Sequence, residues 1–244
     1  MSEKNISCLF WNIQQKNKVE TVEKACKQFN PDIIFLAEVE SPNRGTVCSL
    51  MKERGYECIK WVGDSIYRGL ALYAKCGIVD NSYTAGDGEY CIAAKLSGME
   101  ECIVGVWSKT EKDKSNRYCE HVQNIFDYHI AKEKNPIFVG DFNASPKVKD
   151  QKCKAPRLFK YFKDNGYESL YHMRRGVVVG EEKDSTHKHS CGYFMFDYVL
   201  IPASSSDSID LITDYSSAKV FLNSGYSDHI PIMVELKNRN EHTS

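Results

Sequence analysis

A single mixed α/β domain is predicted by three features of the 244-residue sequence. Short apolar runs rich in Val, Ile and Tyr recur along the chain, apolar residues between several of them repeat at helical spacing, and some run-to-run connections carry Gly turns of the hairpin type. The 42% hydrophobic content is enough to bury a substantial core, and no internal repeat, low-complexity tract or Pro/Gly/Ser linker divides it.

In chain order, strands are expected at 6–11, 32–37, 56–62, 69–74, 92–96, 103–107, 136–139, 196–201 and 230–236. Val19, Val22, Cys26 and Phe29 share one helical face, as do Val122, Ile125, Phe126 and Ile130. Helices are therefore placed at 17–29 and 117–132, with two more at 45–54 and 155–165. The stretches 80–89 and 96–101 read as hairpin-like connections because they carry Asp87-Gly88 and Ser97-Gly98. This mixture of hairpins and helices argues against a purely alternating Rossmann-type or barrel layout. Residues 204–206 read as a loop and 239–244 as a frayed tail, which leaves one domain over 1–238.

Thirty-two Lys plus Arg balance 33 Asp plus Glu, so the net charge of −1 gives no global pull toward a polyanion. A charged substrate has to be held locally. The polar start of the chain runs into an apolar stretch, 8–11, far too brief for an export signal or a membrane span. The ten cysteines stand singly, without a C-x-x-C pair, and Cys8, Cys58, Cys91 and Cys102 fall in apolar runs as small core residues. A reducing, cytoplasmic location is expected, and no partner protein is evident.

Polar residues concentrate at strand ends. In Ile137-Phe138-Val139-Gly140-Asp141-Phe142-Asn143 an apolar strand stops at Gly and presents a carboxylate and a carboxamide two residues apart. Such a pair can orient or deprotonate water and donate to a phosphoryl oxygen, although Gly, Asp and Asn are equally ordinary turn residues. Ser227-Asp228-His229-Ile230-Pro231 sets a carboxylate beside an imidazole at the mouth of a strand, one suited to a hard metal ion and the other to a phosphate oxygen. Asp197, inside the apolar run 196–201, needs a partner, and a histidine elsewhere is the natural one; a solvent-facing acid is the alternative. Asn12 and Glu38 each follow an apolar run at the carboxyl end of a strand, where open α/β sheets gather ligands.

Taken in order, Trp11-Asn12-Ile13, Ala37-Glu38-Val39, Gly140-Asp141-Phe142-Asn143, Phe196-Asp197-Tyr198 and Ser227-Asp228-His229-x-Pro231 resemble the endonuclease/exonuclease/phosphatase superfamily, the deoxyribonuclease I-like group. The resemblance spans residues 6 to about 236, and its G-D-F-N and S-D-H-x-P segments are the most diagnostic. It implies a four-layer α/β/β/α sandwich, two mixed β-sheets face to face with helices outside. It implies that Glu38 is the principal ligand of Mg²⁺ or Mn²⁺, with Asn12 beside it and Asp228 completing or supporting the site. It makes Asp141 the residue that activates water, Asn143 the holder of the phosphoryl group, His229 the contact to the scissile phosphate and Asp197 the group that orients the His229 ring.

Three positions depart from the family pattern. Trp107 stands where many relatives have His, Ala37 stands where Gln is frequent, and the stretch after Asn12 lacks the Gly common in repair nucleases. The last two argue against an abasic-site repair enzyme. From 147 to 163 seven Lys or Arg are interleaved with Phe159, Tyr161 and Phe162, which reads either as a nucleic-acid track or as an amphipathic helix with wetted lysines. Arg68, Arg117, Arg174 and Arg175 are further candidate phosphate contacts, and His187 and His189 sit near the catalytic segments without a metal-site pattern. The expected activity is metal-dependent phosphoester hydrolysis, foremost by a nuclease on nucleic acid. A phosphatase or phosphodiesterase on a small or lipid-derived phosphoester is the alternative, and a non-catalytic binding protein is the third reading.

Overall fold

Strands that are apolar on both faces must be covered on both faces, and the first two strands set that problem for the whole molecule. β1 (Ile6–Asn12) and β2 (Ile33–Val39) run parallel, joined by the helix α1 (Val19–Phe29), and are buried along almost their entire length. The structure, a computed structural model, describes residues 5–15, 19–86, 90–109, 118–148 and 154–237. Around β1 and β2 a six-stranded mixed sheet forms from β3 (Tyr56–Ser65), β4 (Arg68–Lys75), β13 (Ile209–Leu211) and β14 (Ile232–Leu236), in the order β13-β14-β1-β2-β4-β3.

The second six-stranded sheet contains β5 (Val79–Tyr83), β6 (Cys91–Leu96), β7 (Cys102–Trp107), β8 (Ile137–Asp141), β9 (Tyr167–Ser169) and β12 (Asp197–Pro202), in the order β5-β6-β7-β8-β12-β9. A two-stranded ribbon, β10 (His187–His189) with β11 (Gly192–Phe194), stands outside both. Phe10, Phe35, Leu70 and Leu72 of the first sheet share one buried cluster with Ile92, Ile103, Val104 and Val139 of the second. Gly105 permits the close approach of the sheets, because a Cβ there would lie 2.1 Å from the Phe35 ring.

Helices close the two outer faces. α1 and α2 (Thr46–Glu53) bring Val22, Cys26, Leu50 and Met51 onto Leu9, Trp11, Ile34 and Leu36 of the first sheet. On the second sheet, α3 (Tyr118–Lys132) sets Phe126 5.3 Å from Phe138, and α4 (Ala155–Asp164) sets Phe159 4.7 Å from Tyr198, ring centre to ring centre. The architecture is therefore the four-layer α/β/β/α sandwich that the motif order implies. Two shorter helices complete it, α5 (Leu170–Arg175) and α6 (Tyr215–Asn223), the latter capped by Asp214, whose side chain accepts from Ser216 N at 3.1 Å.

All nine expected strands form. The expectation for 80–89 needs correction, because Val79–Tyr83 is an edge strand; its polar Asp80-Asn81-Ser82 core carries no apolar signal. Asp87-Gly88 lies outside the described residues, whereas Ser97-Gly98 does turn β6 into β7, with Gly98 at φ +74°. A 3₁₀ segment, Ala203–Ser208, occupies the expected loop at 204–206. The tail at 239–244 and Arg117 lie outside the described residues. Of the basic segment, 149–153 lie outside the described residues and its second part is an amphipathic helix, Ala155–Asp164: Leu158, Phe159 and Phe162 are buried, and the exposed Lys160 pairs with Asp164. Among the described residues no helix is long and apolar enough to cross a membrane.

Candidate active site

Both sheets deliver their polar strand ends to one place. β1 ends at Asn12, which lies beside Ala37 in the parallel register, so the next residue of β2, Glu38, emerges next to it. Glu38 has φ +58° and sits in a register shift between Ala37 and Val39, a bulge that turns its side chain out of the alternation of the strand. Across the sandwich, β8 ends at Asp141, which pairs in register with Trp107 on one side and Asp197 on the other. Gly140 is required for this arrangement, since a Cβ on it would lie 1.9 Å from the Val106 carbonyl oxygen.

Asn12 bridges the two sheets. Its amide nitrogen donates to Glu38 Oε1 at 3.2 Å and to Asp141 Oδ2 at 3.1 Å, while its Oδ1 accepts from Gln14 N at 3.0 Å. Asn143, at φ +49°, folds back over Asp141: its backbone N–H donates to Asp141 Oδ1 at 2.9 Å and its side-chain amide to Asp141 Oδ2 at 3.0 Å and Ser108 O at 2.9 Å. Asn tolerates this left-handed conformation better than other side chains, so the G-D-x-N spacing serves a local turn and a site together.

His229 is fixed from three directions. Asp197 Oδ2 lies 2.8 Å from its Nδ1, Ser227 Oγ accepts from its backbone N–H at 3.0 Å, and its carbonyl accepts from Trp11 Nε1 at 2.9 Å. Nδ1 is thereby committed, and Nε2 faces Asp141 Oδ2 and Asp228 Oδ1, each at 3.8 Å and beyond hydrogen-bond reach. Burial lowers the affinity of this imidazole for a proton, but Asp197 and Asp141 outweigh burial and raise its pKa to about 10. Asp141 moves the other way from an ordinary acid: burial pushes it up, Asp197 adds to the rise and His229 offsets part of it, to about 7.

Asp228 faces a different neighbourhood. It accepts from Gln14 Nε2 at 2.6 Å and lies 3.6 Å from His187 Nε2. Among the described residues it makes no hydrogen bond or ion pair with Glu38 or Asn12. Asn12, Glu38, Asp141, Asn143, Asp197 and His229 thus form one connected set, with Asp228 on its far side beside His229.

Arg68 was legible only as a basic residue without a motif. It pairs with Glu38 Oε1 at 2.8 Å, and its guanidinium lies 4.9 Å from the centre of the Trp107 ring. Trp107, the departure from histidine, is fully buried and serves as the platform on which Arg68 rests, with Tyr90 edge-on at 5.1 Å. Arg174 and Arg175 are engaged elsewhere, by Asp210 and Asp184. His187, whose sequence signal was only an alternation with His189, has its ring centre 4.4 Å from that of His229. A cleft of about 810 Å³ opens over Glu38, Arg68, Trp107, Lys109 and Asn143.

Four carboxylates, those of Glu38, Asp141, Asp197 and Asp228, meet two cationic groups here, Arg68 and His229. Such a surplus of negative charge suits a divalent cation. The bonds of Glu38 to Asn12 and Arg68 both fall on Oε1, and the residue lines the cleft, so its other oxygen is available as a hard donor. Asn12 presents its nitrogen to the carboxylates, so it would offer an oxygen only after its amide turned over and gave up the bond from Gln14.

No family model and no curated protein matches the sequence. Solved structures do. An AP endonuclease from Archaeoglobus fulgidus superposes with a TM-score of 0.75 at 17% identity, over 96% of this chain and 100% of that one. A variant of the 3′ phosphatase NExo from Neisseria, bound to a product DNA hairpin, gives 0.71 at 16% identity, and the 3′–5′ exonuclease NExo from Neisseria meningitidis gives 0.69 at 15%, both over 96% of this chain and 100% of theirs. At these identities the likeness speaks for the fold alone: the chain shares the fold of these three structures, and its two face-to-face sheets are those that the resemblance in the five motifs implies.

Proposed function

We propose that this chain is a divalent-metal-dependent phosphoester hydrolase, a nuclease that cleaves phosphodiester bonds of nucleic acid by in-line attack of water, built as one domain over 1–238. The observation that carries the proposal is the buried, mutually bonded set Asn12–Asp141–Asn143 beside the His229–Asp197 pair, opening onto a cleft at Glu38. A set of buried charges at strand ends costs stability, and turnover gives a reason to keep it.

Glu38 would hold Mg²⁺ or Mn²⁺, with Asn12 and Asp228 as the further ligands expected from the motifs. When bound, the cation supplies charge neutralisation on the phosphate and on the leaving oxygen. Asp141 is the base that orients and deprotonates water, and a pKa near neutrality suits it to that task. Asn143 shares its amide with Asp141 and holds a phosphoryl oxygen. His229, held protonated by its carboxylate neighbours, donates from Nε2 to the phosphate and stabilises charge developing there; Asp197 keeps the ring in place.

Nucleic acid is favoured by the rim of the cleft, where cations sit against aromatic rings: Arg44 over Tyr67 at 4.2 Å, Lys109 over Tyr90 at 4.7 Å and Arg68 over Trp107. Tyr67 is 57% exposed, an aromatic surface of the kind on which a base stacks. The structural neighbours named for action on DNA support the same reading. The near-neutral net charge favours a small phosphoester instead, and this is the second reading. None of the nine described cysteines is in a disulfide, which supports a reducing, cytoplasmic setting.

The test is incubation with Mg²⁺, Mn²⁺ or EDTA on single- and double-stranded DNA, RNA, a chromogenic phosphodiester and an inositol phosphate, with Asp141→Ala and His229→Ala alongside. Metal-dependent cleavage of nucleic acid, lost in both variants, is the expected result. Turnover of the inositol phosphate alone would establish the second reading, and activity surviving both substitutions would overturn the site.

A further inference from the structure

His187 and His229 are cross-strand neighbours. Lys188 N–H donates to Asp228 O at 2.8 Å and Ile230 N–H to Thr186 O at 2.8 Å, which makes 187 and 229 a non-hydrogen-bonded antiparallel pair, the register in which facing side chains come closest. Their rings project to the same side, with centres 4.4 Å apart. Asp228 places one oxygen 3.6 Å from His187 Nε2 and the other 3.8 Å from His229 Nε2. One ligand atom from each of the three residues can be chosen so that all lie within 4.8 Å of one another.

The His187 imidazole is poorly served by the protein. Its side chain is 9% exposed, its Nδ1 is buried without a partner, and among the described residues neither ring nitrogen makes a hydrogen bond of 3.5 Å or less. Asp228 Oδ1 is also buried and unbonded. An imidazole with no hydrogen bond and a carboxylate with one unbonded oxygen, beside a second imidazole whose Nε2 is also beyond hydrogen-bond reach of its neighbours, describe a ligand set rather than a hydrogen-bond network. Ligand atoms around a tetrahedral zinc lie roughly 3.4 Å apart, so a set already within 4.8 Å closes by moving its longest separation by about 1.4 Å or less.

We propose that His187, Asp228 and His229 form a transition-metal site, centred on the two imidazoles and sharing only Asp228 with the oxygen site at Glu38, for a borderline cation such as Zn²⁺ or Co²⁺. Two imidazoles and one carboxylate select such ions over Mg²⁺, which prefers oxygen and water. Asp197 bonded to His229 Nδ1 is the carboxylate–histidine support that orients a ligating ring and raises its basicity. On binding, His229 Nε2 releases its proton to solvent and gives its lone pair to the ion. The nitrogen that would contact the scissile phosphate is then occupied, so the site inhibits hydrolysis; this consequence rests on the proposed function, whereas the binding does not.

The experiment titrates EDTA-treated, desalted protein with Co²⁺ in the presence of saturating Mg²⁺ and reads the visible d–d absorption. The test variant is His187→Phe, which keeps an aromatic ring in the stack against Phe196, 4.9 Å away. The expected result is a band that saturates at one Co²⁺ per chain in the wild type and is absent in His187→Phe and in Asp228→Ala, with unchanged far-UV circular dichroism in at least one of them. Zn²⁺ should inhibit the Mg²⁺-dependent hydrolysis of the wild type at least tenfold more strongly than that of His187→Phe, each against its own uninhibited rate. No band in the wild type, or the same band in a folded His187→Phe, overturns the proposal. A band without any phosphoester turnover would leave the metal site standing and overturn the hydrolase reading instead.

Discussion

Replacing Asp197 by Asn removes one negative charge from the back of His229 while keeping the shape of the side chain. The bond it disturbs is 2.8 Å long, and its partners are 1% and 4% exposed, so solvent can compensate little. A charge-assisted hydrogen bond contributes about 1.5–3 kcal/mol, and breaking a buried pair by neutralising one member costs about 3–5 kcal/mol. The retained amide can still bond to Nδ1, which places the expected loss at about 2–4 kcal/mol of transition-state stabilisation. At 1.36 kcal/mol per factor of ten, kcat should fall roughly 30- to 1000-fold. The substrate is bound mainly through the cleft, so KM should change far less. The assay is steady-state cleavage of a phosphodiester at saturating Mg²⁺, with the melting temperature as a check on folding. A folded Asp197→Asn protein with kcat within threefold of the wild type would refute the positioning role of Asp197.

Three further outcomes follow from the same geometry. Glu38→Gln keeps the contacts to Asn12 and Arg68 but loses the anionic oxygen, so the Mg²⁺ concentration for half-maximal activity should rise at least tenfold; an unchanged requirement would place the ion elsewhere. Gly140→Ala drives a methyl group into the Val106 carbonyl, a backbone atom fixed by the β7–β8 ladder, and should cost about 3 kcal/mol or more in urea denaturation, whereas Gly98→Ala, with open space around it, should cost only its positive-φ strain of about 1 kcal/mol. Burial lowers the pKa of His129 from 6.5 to about 4, so the unfolded chain takes up this proton first as the pH drops. Its contribution to stability is therefore intact above about pH 6.5 and is lost between there and about pH 4, to the extent of about 3 kcal/mol. His129→Phe should flatten that acid limb of a plot of stability against pH, and an unaltered limb would assign it to other groups.

The readable part of the molecule was the part governed by local rules. The apolar run 137–139 ends at Gly140 because the neighbouring strand leaves no space for a side chain, and the two polar residues that follow are those that the strand end exposes. The same logic made Asn12 and Glu38 visible at the ends of β1 and β2, although the bulge that aims Glu38 had no signal of its own. Edge elements were harder. β5 reads as a connection because one side of an edge strand meets water and needs no apolar residues, and the ribbon β10–β11 is silent for the same reason. The supporting partners of the site are long-range facts. Arg68 meets Glu38 because β4 pairs antiparallel with β2, and His187 meets His229 through a single bridge between segments 42 positions apart in the sequence. Nothing in the spacing of Thr186-His187 points to that encounter. At 155–164 the amphipathic-helix reading holds over the nucleic-acid track, because the spacing of Leu158, Phe159 and Phe162 is that of a core-facing helix.

The central claim is that Asp141 and His229 direct water onto a phosphorus atom with no covalent enzyme intermediate. It is tested most directly by a single turnover in ¹⁸O-labelled water on a nucleic acid whose scissile linkage is a phosphorothioate of one configuration, followed by assignment of the configuration at phosphorus in the product. Inversion, the mark of one in-line displacement, with product formation abolished in Asp141→Asn and His229→Ala, is the predicted result. Retention, the mark of two displacements through a covalent intermediate, or product formed at the wild-type rate by either variant, would contradict it.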